Sequence, residues 1–209
     1  MHMENEQDIR VGIYGGTFAP VHNGHVQAAK LFMEQMRLDY LFVIPAAIPP
    51  HKKIDEADDP EHRLKMCALA FGNMDGVVVS DMEVKRGGKS YTVDTLRELS
   101  AKGRRLLMLC GTDMVLSFDT WYQYKEILKL CYPVYIRREN DKLLDSMIVS
   151  KLTKYYEESG KMFRKIIGEP IELSSSEIRE KVKRGEDISS LVPPAVAEYI
   201  KLHGLYREE

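Results

Sequence analysis

Gly15-Gly16-Thr17-Phe18-Ala19-Pro20-Val21-His22-Asn23-Gly24-His25 is the stretch that decides how the rest of the chain is read. Ahead of it, Ile9, Val11 and Ile13 alternate as in a strand. Behind it, Val26, Ala29, Met33 and Met36 recur at spacings of three and four, as on one face of a helix. A strand, a glycine-rich turn and a helix form a phosphate cradle. The glycines let backbone N–H groups approach an anion, and the helix N-terminus adds about half a positive charge. A Gly-Gly turn alone is equally an ordinary tight turn. The added signal is His22 and His25, three residues apart and so on one helix face. With the helix starting near Gly24, both imidazoles stand beside its positive end, where they can donate to phosphate oxygens. A His-x-x-His pair is also half of a metal site, but no Cys or third His stands at a spacing that completes one.

The composition suits a soluble α/β protein. There are 209 residues, 44% hydrophobic and 30% charged, enough for one domain with its own core. A net charge of −2 provides no basic face for long nucleic acids, whereas a small phosphorylated ligand needs only a local positive site. Cys67, Cys110 and Cys131 each lie within or beside an apolar run, so they read as small buried hydrophobes, not as a disulfide or zinc framework. Met1 to Asp8 is polar, unlike a signal peptide, and no run approaches the roughly 18 apolar residues of a membrane span. These features predict a reduced, cytoplasmic, soluble protein without a membrane or nucleic-acid partner. They leave a homo-oligomer open.

Further along, Tyr40 to Ile44 is a continuous apolar run, as in a strand buried on both faces. The loop from Ala46 to Asp59 carries Pro49-Pro50-His51-Lys52-Lys53, whose cations can reach a ligand or merely be solvated. Asp59-Pro60 opens a helix with Leu64, Cys67 and Phe71 as its buried stripe and His62 and Arg63 near its start. Val77 to Ser80 reads as a strand and Glu83 to Lys89 as a polar turn. Ser90-Tyr91-Thr92 leads into a helix buried through Val93, Leu96 and Leu99. Arg105 to Cys110 is another strand, and Gly111-Thr112-Asp113 stands just past its C-terminal end, where open parallel sheets bind ligands. Trp121 sits among polar neighbours, so a half-exposed indole able to stack on a planar ring is expected.

Tyr132 to Ile136 is a strand, Asp141 to Glu158 a long helix, and Phe163 to Leu173 a strand region broken by Gly168 and Pro170. Ser174 and Glu177 have capping-box spacing, which explains both without any catalysis. Arg179 falls in that helix's first two turns. A phosphate there would meet N–H groups, hydroxyls and a guanidinium together. Val192-Pro193-Pro194 starts a last helix. The alternation of strands and helices predicts a doubly wound, mainly parallel sheet in a single domain, 1–209, with about 174–209 as a small closing helical subdomain.

The opening motif resembles the Gly-Gly-Thr-Phe-x-Pro-x-His-x-Gly-His signature of the nucleotidyltransferase superfamily. Pro49-Pro50-His51-Lys52, Ser90 to Leu96, Gly111-Thr112-Asp113 with Trp121, Ser174 to Arg179, and Leu191-Val192-Pro193 each resemble, in order, stretches of the bacterial nicotinate-nucleotide adenylyltransferases. That resemblance implies a Rossmann-like fold. It also implies adenylyl transfer from ATP to nicotinate mononucleotide, giving deamido-NAD and pyrophosphate in NAD biosynthesis, with Mg²⁺. Three positions depart from the pattern: Ala19 where an acid is expected, Ser176 where threonine is, and Lys89 where proline is common.

The resemblance also implies roles. His22 and His25 would hold the triphosphate as hydrogen-bond donors, with Gly15, Gly16, Thr17 and Phe18 contributing nearby. Ser175, Ser176 and Arg179 would hold phosphates from a second helix, and Lys52 would close over the outer ones. Gly111 and Asp113 would contact adenosine. Trp121 would lie against the pyridine ring, with Ser90, Tyr91 and Thr92 around its carboxylate. Mg²⁺ would sit on phosphate oxygens and water, without a named protein ligand. A phosphate nucleophile is already ionised at pH 7, so in-line attack needs neither a general base nor a covalent intermediate. The rivals are a pantetheine-phosphate adenylyltransferase, a glycerol-phosphate cytidylyltransferase, a non-catalytic nucleotide sensor and a metal-binding protein.

Overall fold

The computed structural model describes residues 9–50, 59–101, 103–137, 143–169 and 172–207. Its strands are β1 (Ile9–Gly16), β2 (Tyr40–Pro45), β3 (Val77–Val79), β4 (Arg104–Gly111), β5 (Tyr132–Ile136) and β6 (Arg164–Ile166). Its helices are α1 (Asn23–Met36), α2 (Pro60–Phe71), α3 (Met82–Arg86), α4 (Thr92–Leu99), α5 (Thr112–Ser117), α6 (Tyr124–Leu130), α7 (Leu143–Ser159), α8 (Ser175–Lys183) and α9 (Pro194–Leu202). The strands form one sheet in the order β3-β2-β1-β4-β5-β6, every pair parallel. This is a Rossmann-like, doubly wound α/β fold. The order reverses between β1 and β4, and a crevice opens beyond strand C-termini at such a switch point. β1 ends there in Gly15-Gly16 and β4 in Gly111.

The apolar run of β4 feeds both faces. Leu107 and Leu109 pack with α1, α2, α8 and α9, through Phe32, Phe71, Ile178 and Val196. Leu106, Met108 and Cys110 pack on the opposite face with Val93, Phe118, Ile127 and Tyr155. A strand covered on both sides has no polar alternation, hence the unbroken run. The three cysteines are buried and free, and burial raises their thiols, that of Cys131 to about 12.

The structure corrects several expectations. Glu83 to Lys89 is not simply a polar turn: α3 occupies its start, and Glu83 is buried. On α2, Leu64 is only half-buried, while Arg63, Met66, Cys67 and Phe71 face inward. β6 is three residues long, Ile167 beside it is exposed, and Ile171 lies outside the described residues. Lys52 and His51 also lie outside them. No described helix is long and apolar enough to cross a membrane.

β1 carries a glycine facing α1 for a packing reason. A Cβ at Gly12 would meet Leu38 Cδ1 at 2.4 Å, Leu41 Cδ1 at 2.9 Å and Phe32 Cε1 at 3.0 Å. Gly12→Ala is therefore expected to destabilise the fold by about 1–3 kcal/mol, the cost of overpacking a filled core. Urea denaturation measures this, and an unchanged midpoint would show that those side chains yield freely.

Candidate active site

α1 begins at the crevice with an unusual cap. His22 is its N-cap, in extended conformation, and its Nδ1 accepts from the His25 backbone N–H at 3.3 Å. His25 Nδ1 in turn accepts from the His22 backbone N–H at 3.2 Å. This is a capping box built from two imidazoles instead of Ser and Glu. The rings stack with centroids 3.6 Å apart. A neutral imidazole that accepts at Nδ1 carries its proton on Nε2, so the bonding pattern assigns both Nε2 atoms as donors. His22 is 1% exposed and lies beneath, whereas His25 is half-buried and forms the outer ring.

The turn ahead of this cap is held by close packing. Phe18 has φ 52, a left-handed conformation that a bulky residue rarely adopts. Its ring fills the space where a Cβ of Gly16 would lie, at 3.0 Å, and meets His25 edge-on at 5.0 Å. Gly16 is thus a close-approach glycine, and Phe18 orients an imidazole from inside the core. α8 docks on the same turn. Ser175 Oγ donates to the Pro20 carbonyl at 2.9 Å, and Arg179 donates to the Ala19 carbonyl at 2.6 Å and to Ser176 Oγ at 3.2 Å. Position 19 therefore contributes a backbone oxygen; its side chain is buried. Ser174 Oγ accepts from Glu177 N–H, which is one half of the expected capping box. Asn23, not singled out in the sequence, is tied to the Leu191 and Ser190 carbonyls.

The other side of the crevice is built from side chains. Gly15, Thr92 and Trp121 line a narrow pocket with Ile13, Met114 and Glu83. It encloses about 30 Å³, room for roughly two waters. Trp121 is half-buried, as expected, against Phe118. Tyr91 is the N-cap of α4 and meets Tyr122 at 4.7 Å. Ser90 Oγ accepts from the Ala47 N–H at 2.9 Å. Glu83 receives the Thr95 hydroxyl at 2.5 Å, and burial raises its carboxyl pKa. Gly111 N-caps α5, and Asp113 lies in that helix's first turn.

Arg63 was not legible as a site residue. It is completely buried and donates to three carbonyls: Thr17 at 3.0 Å, Ala46 at 2.5 Å and Ala47 at 2.9 Å. Those oxygens belong to the turns that leave β1 and β2. The structure thus gathers Gly15, Gly16, Thr17, Phe18, His22, His25, Ser175, Ser176 and Arg179 around one turn, and places Thr92 and Trp121 in the adjoining pocket, with Ser90 and Tyr91 just ahead of Thr92 but outside its lining.

Comparison with known proteins identifies the family. The cytidylyltransferase-like family model matches residues 13–181. A Citrifermentans bemidjiense protein named "Probable nicotinate-nucleotide adenylyltransferase" is 36% identical, over 95% of this chain and 98% of its own. The chain belongs to the nicotinate-nucleotide adenylyltransferase family. A Thermoanaerobacter relative of the same name is 34% identical over 98% of this chain and 97% of its own. Among solved structures, the Plasmodium falciparum nicotinic acid mononucleotide adenylyltransferase complexed with NaAD superimposes with a TM-score of 0.74 at 21% identity. It covers 94% of this chain and 97% of that one, and at such identity it speaks for the fold alone. For a member of the adenylyltransferase family, the departure at Ala19 costs no contact made here, since the bond to Arg179 uses the main chain.

The turn that leads into Trp121 is held by an ion-pair cluster. Asp119, in the turn Phe118–Thr120, accepts from Lys151 and Lys154 of α7, at 2.7 and 2.8 Å. Those bonds lower its carboxyl from 3.8 to about 2. A depressed carboxyl stabilises the fold above its unfolded value and loses that contribution as pH falls through the folded one. Wild type is therefore expected to exceed Asp119→Asn in urea midpoint above pH 3.8, with the gap closing toward about pH 2. A gap that is constant across that window would show that the pairs contribute nothing.

Proposed function

We propose that this chain transfers the adenylyl group of ATP to nicotinate mononucleotide, releasing deamido-NAD and pyrophosphate. The observation that carries the reading is the double-imidazole cap at the β1/β4 switch point, in a chain of this family. The setting is cytoplasmic NAD biosynthesis, and residues 1–209 act as one unit with 174–209 closing over the phosphate end.

Both reactants are anions, so the site must hold them together against repulsion and stabilise charge that grows on the leaving oxygens. His25 and His22 donate from Nε2 to the triphosphate. Backbone N–H groups of Gly15 to Phe18 and the α1 N-terminus add partial positive charge. Arg179, Ser175 and Ser176 hold phosphates from α8. Gly111 and Asp113 take the adenosine. Trp121 stacks on the pyridine ring. The α4 N-terminus, with Ser90, Tyr91 and Thr92, favours its carboxylate over a neutral amide. The acceptor phosphate attacks in line as it stands, with no proton to remove.

Mg²⁺ belongs with this reading. No group of three or more His, Cys, Asp or Glu suited to a metal occurs among the described residues, and Mg²⁺ prefers phosphate oxygens and water. This donor set fits an ion that arrives on ATP, where it would neutralise phosphate charge.

Incubating the protein with ATP and each candidate acceptor, and weighing the products, tests the reaction directly. Deamido-NAD is expected; coupling of ATP only to a pantetheine phosphate would replace this reading. His25→Ala is expected to lower kcat by about 10²-fold or more, as for a lost transition-state donor. Near-normal turnover by the folded variant would remove the ring from the mechanism. Trp121→Ala is expected to raise KM for the mononucleotide about fivefold, from loss of ~1 kcal/mol of stacking. An effect confined to the KM for ATP would place the indole elsewhere.

A further inference from the structure

Arg63 is among the largest fully buried side chains of the described residues. Burying a guanidinium is costly unless its donors are satisfied in good geometry. Its bonds run to the Thr17, Ala46 and Ala47 carbonyls, and thus to both turns that border the crevice. The connection continues outward. The Ala47 N–H donates to Ser90 Oγ at 2.9 Å, and the Ser90 N–H donates to the Ile48 carbonyl at 2.9 Å. Ser90 immediately precedes Tyr91 and Thr92, and Ser90 is itself buried. A continuous path therefore runs from Thr17 in the phosphate turn, through Arg63 and Ala47, to the turn at the acceptor pocket. A second stitch, Ala46 N–H to the Gly16 carbonyl at 2.9 Å, keeps the two strand ends in register.

We infer that Arg63 is a positioning residue that locks the phosphate turn and the acceptor turn into one frame, fixing the approach of the acceptor phosphate to the α-phosphorus. It touches neither reactant. Its planar fork holds several carbonyls at fixed spacing, which a lysine cannot do with one nitrogen. In-line transfer is sensitive to such alignment: a misplacement near 1 Å costs about 10²-fold in rate. The inference rests on the adenylyl-transfer reading above.

The test is a double-mutant cycle on purified full-length protein with ATP and nicotinate mononucleotide, using Arg63→Lys, Ser90→Ala and the pair. Arg63→Gln, which keeps an amide donor, replaces the lysine variant if that one melts below the assay temperature. Arg63→Lys is expected to lower kcat about 10- to 100-fold while both KM values stay within about threefold, because direct contacts persist. Ser90→Ala is expected to lower kcat as well, and the double variant to be no slower than the worse single one, because both cut one path. Effects that multiply would overturn the inference, as would a lowered melting temperature with unchanged kcat per folded molecule. A wild type that releases no pyrophosphate would sink the reaction and the inference together. An active wild type with an unimpaired Arg63→Lys would sink the inference alone.

Discussion

A helix that receives a polyphosphate faces a conflict at its first turn. Its exposed N–H groups need acceptors, and the best capping residues are Ser, Thr, Asp and Asn. A carboxylate there would put negative charge where the ligand must sit. His22 and His25 resolve the conflict by accepting from each other's backbone through Nδ1. The helix end is capped without an anion, and each ring keeps its second nitrogen as a donor. On the proposed reading, the cap and the phosphate donors are the same two side chains, so fixing the helix would also aim the chemistry.

This economy works only if the strand end beneath the cap is immobile. Phe18 keeps its left-handed backbone because its ring is buried against Tyr14, Phe71 and His25. Conformations of this kind cost on the order of 1–3 kcal/mol and persist where surrounding packing over-determines them. Arg63 holds the same turn from below through Thr17, and Arg179 holds it from α8 through Ala19. Two helices, α2 and α8, thus converge on the main-chain oxygens of Thr17, Ala19 and Pro20, with Ser175 on Pro20 as the third contact.

The strand-turn-helix at Gly15 to His25 was legible because periodicity, glycines and histidines coincide within one short stretch. Both faces of the sheet were legible in the unbroken runs of β2 and β4 for the same kind of reason. Arg63 was not. A charged residue beside Leu64 on a helix reads as solvent-facing, and its partners are carbonyls, which every residue type carries alike. α3 was missed because five residues, four of them polar or flexible, give no helical period. Glu83 inside that segment is buried against Thr95, twelve positions away, a pairing that spacing does not announce. At Ala19, where an acid is expected, the contact the structure describes is the main-chain one to Arg179.

The two halves of the crevice are made of different material, as the proposed pair of ligands would require. A triphosphate presents the same oxygens in every turnover, which suits main-chain N–H groups and two packed rings. The acceptor must be told from near-identical molecules, which requires side chains. Trp121, Tyr91 and Tyr122 stand half-buried or exposed at the rim, on turns fastened by Asp119 to α7 and by Arg97 to Asp94, Gln123 and Glu126. The pocket that Trp121 lines with Thr92 and Gly15 encloses only about 30 Å³, less than a planar ring with its ribose phosphate needs. On the proposed reading, admission of the acceptor would fall to those rings, because Arg63 and Ser90 tie the turns behind them to Thr17. A densely packed turn on one side and partly exposed aromatic rings on the other suit a reaction between a constant donor and a selected acceptor.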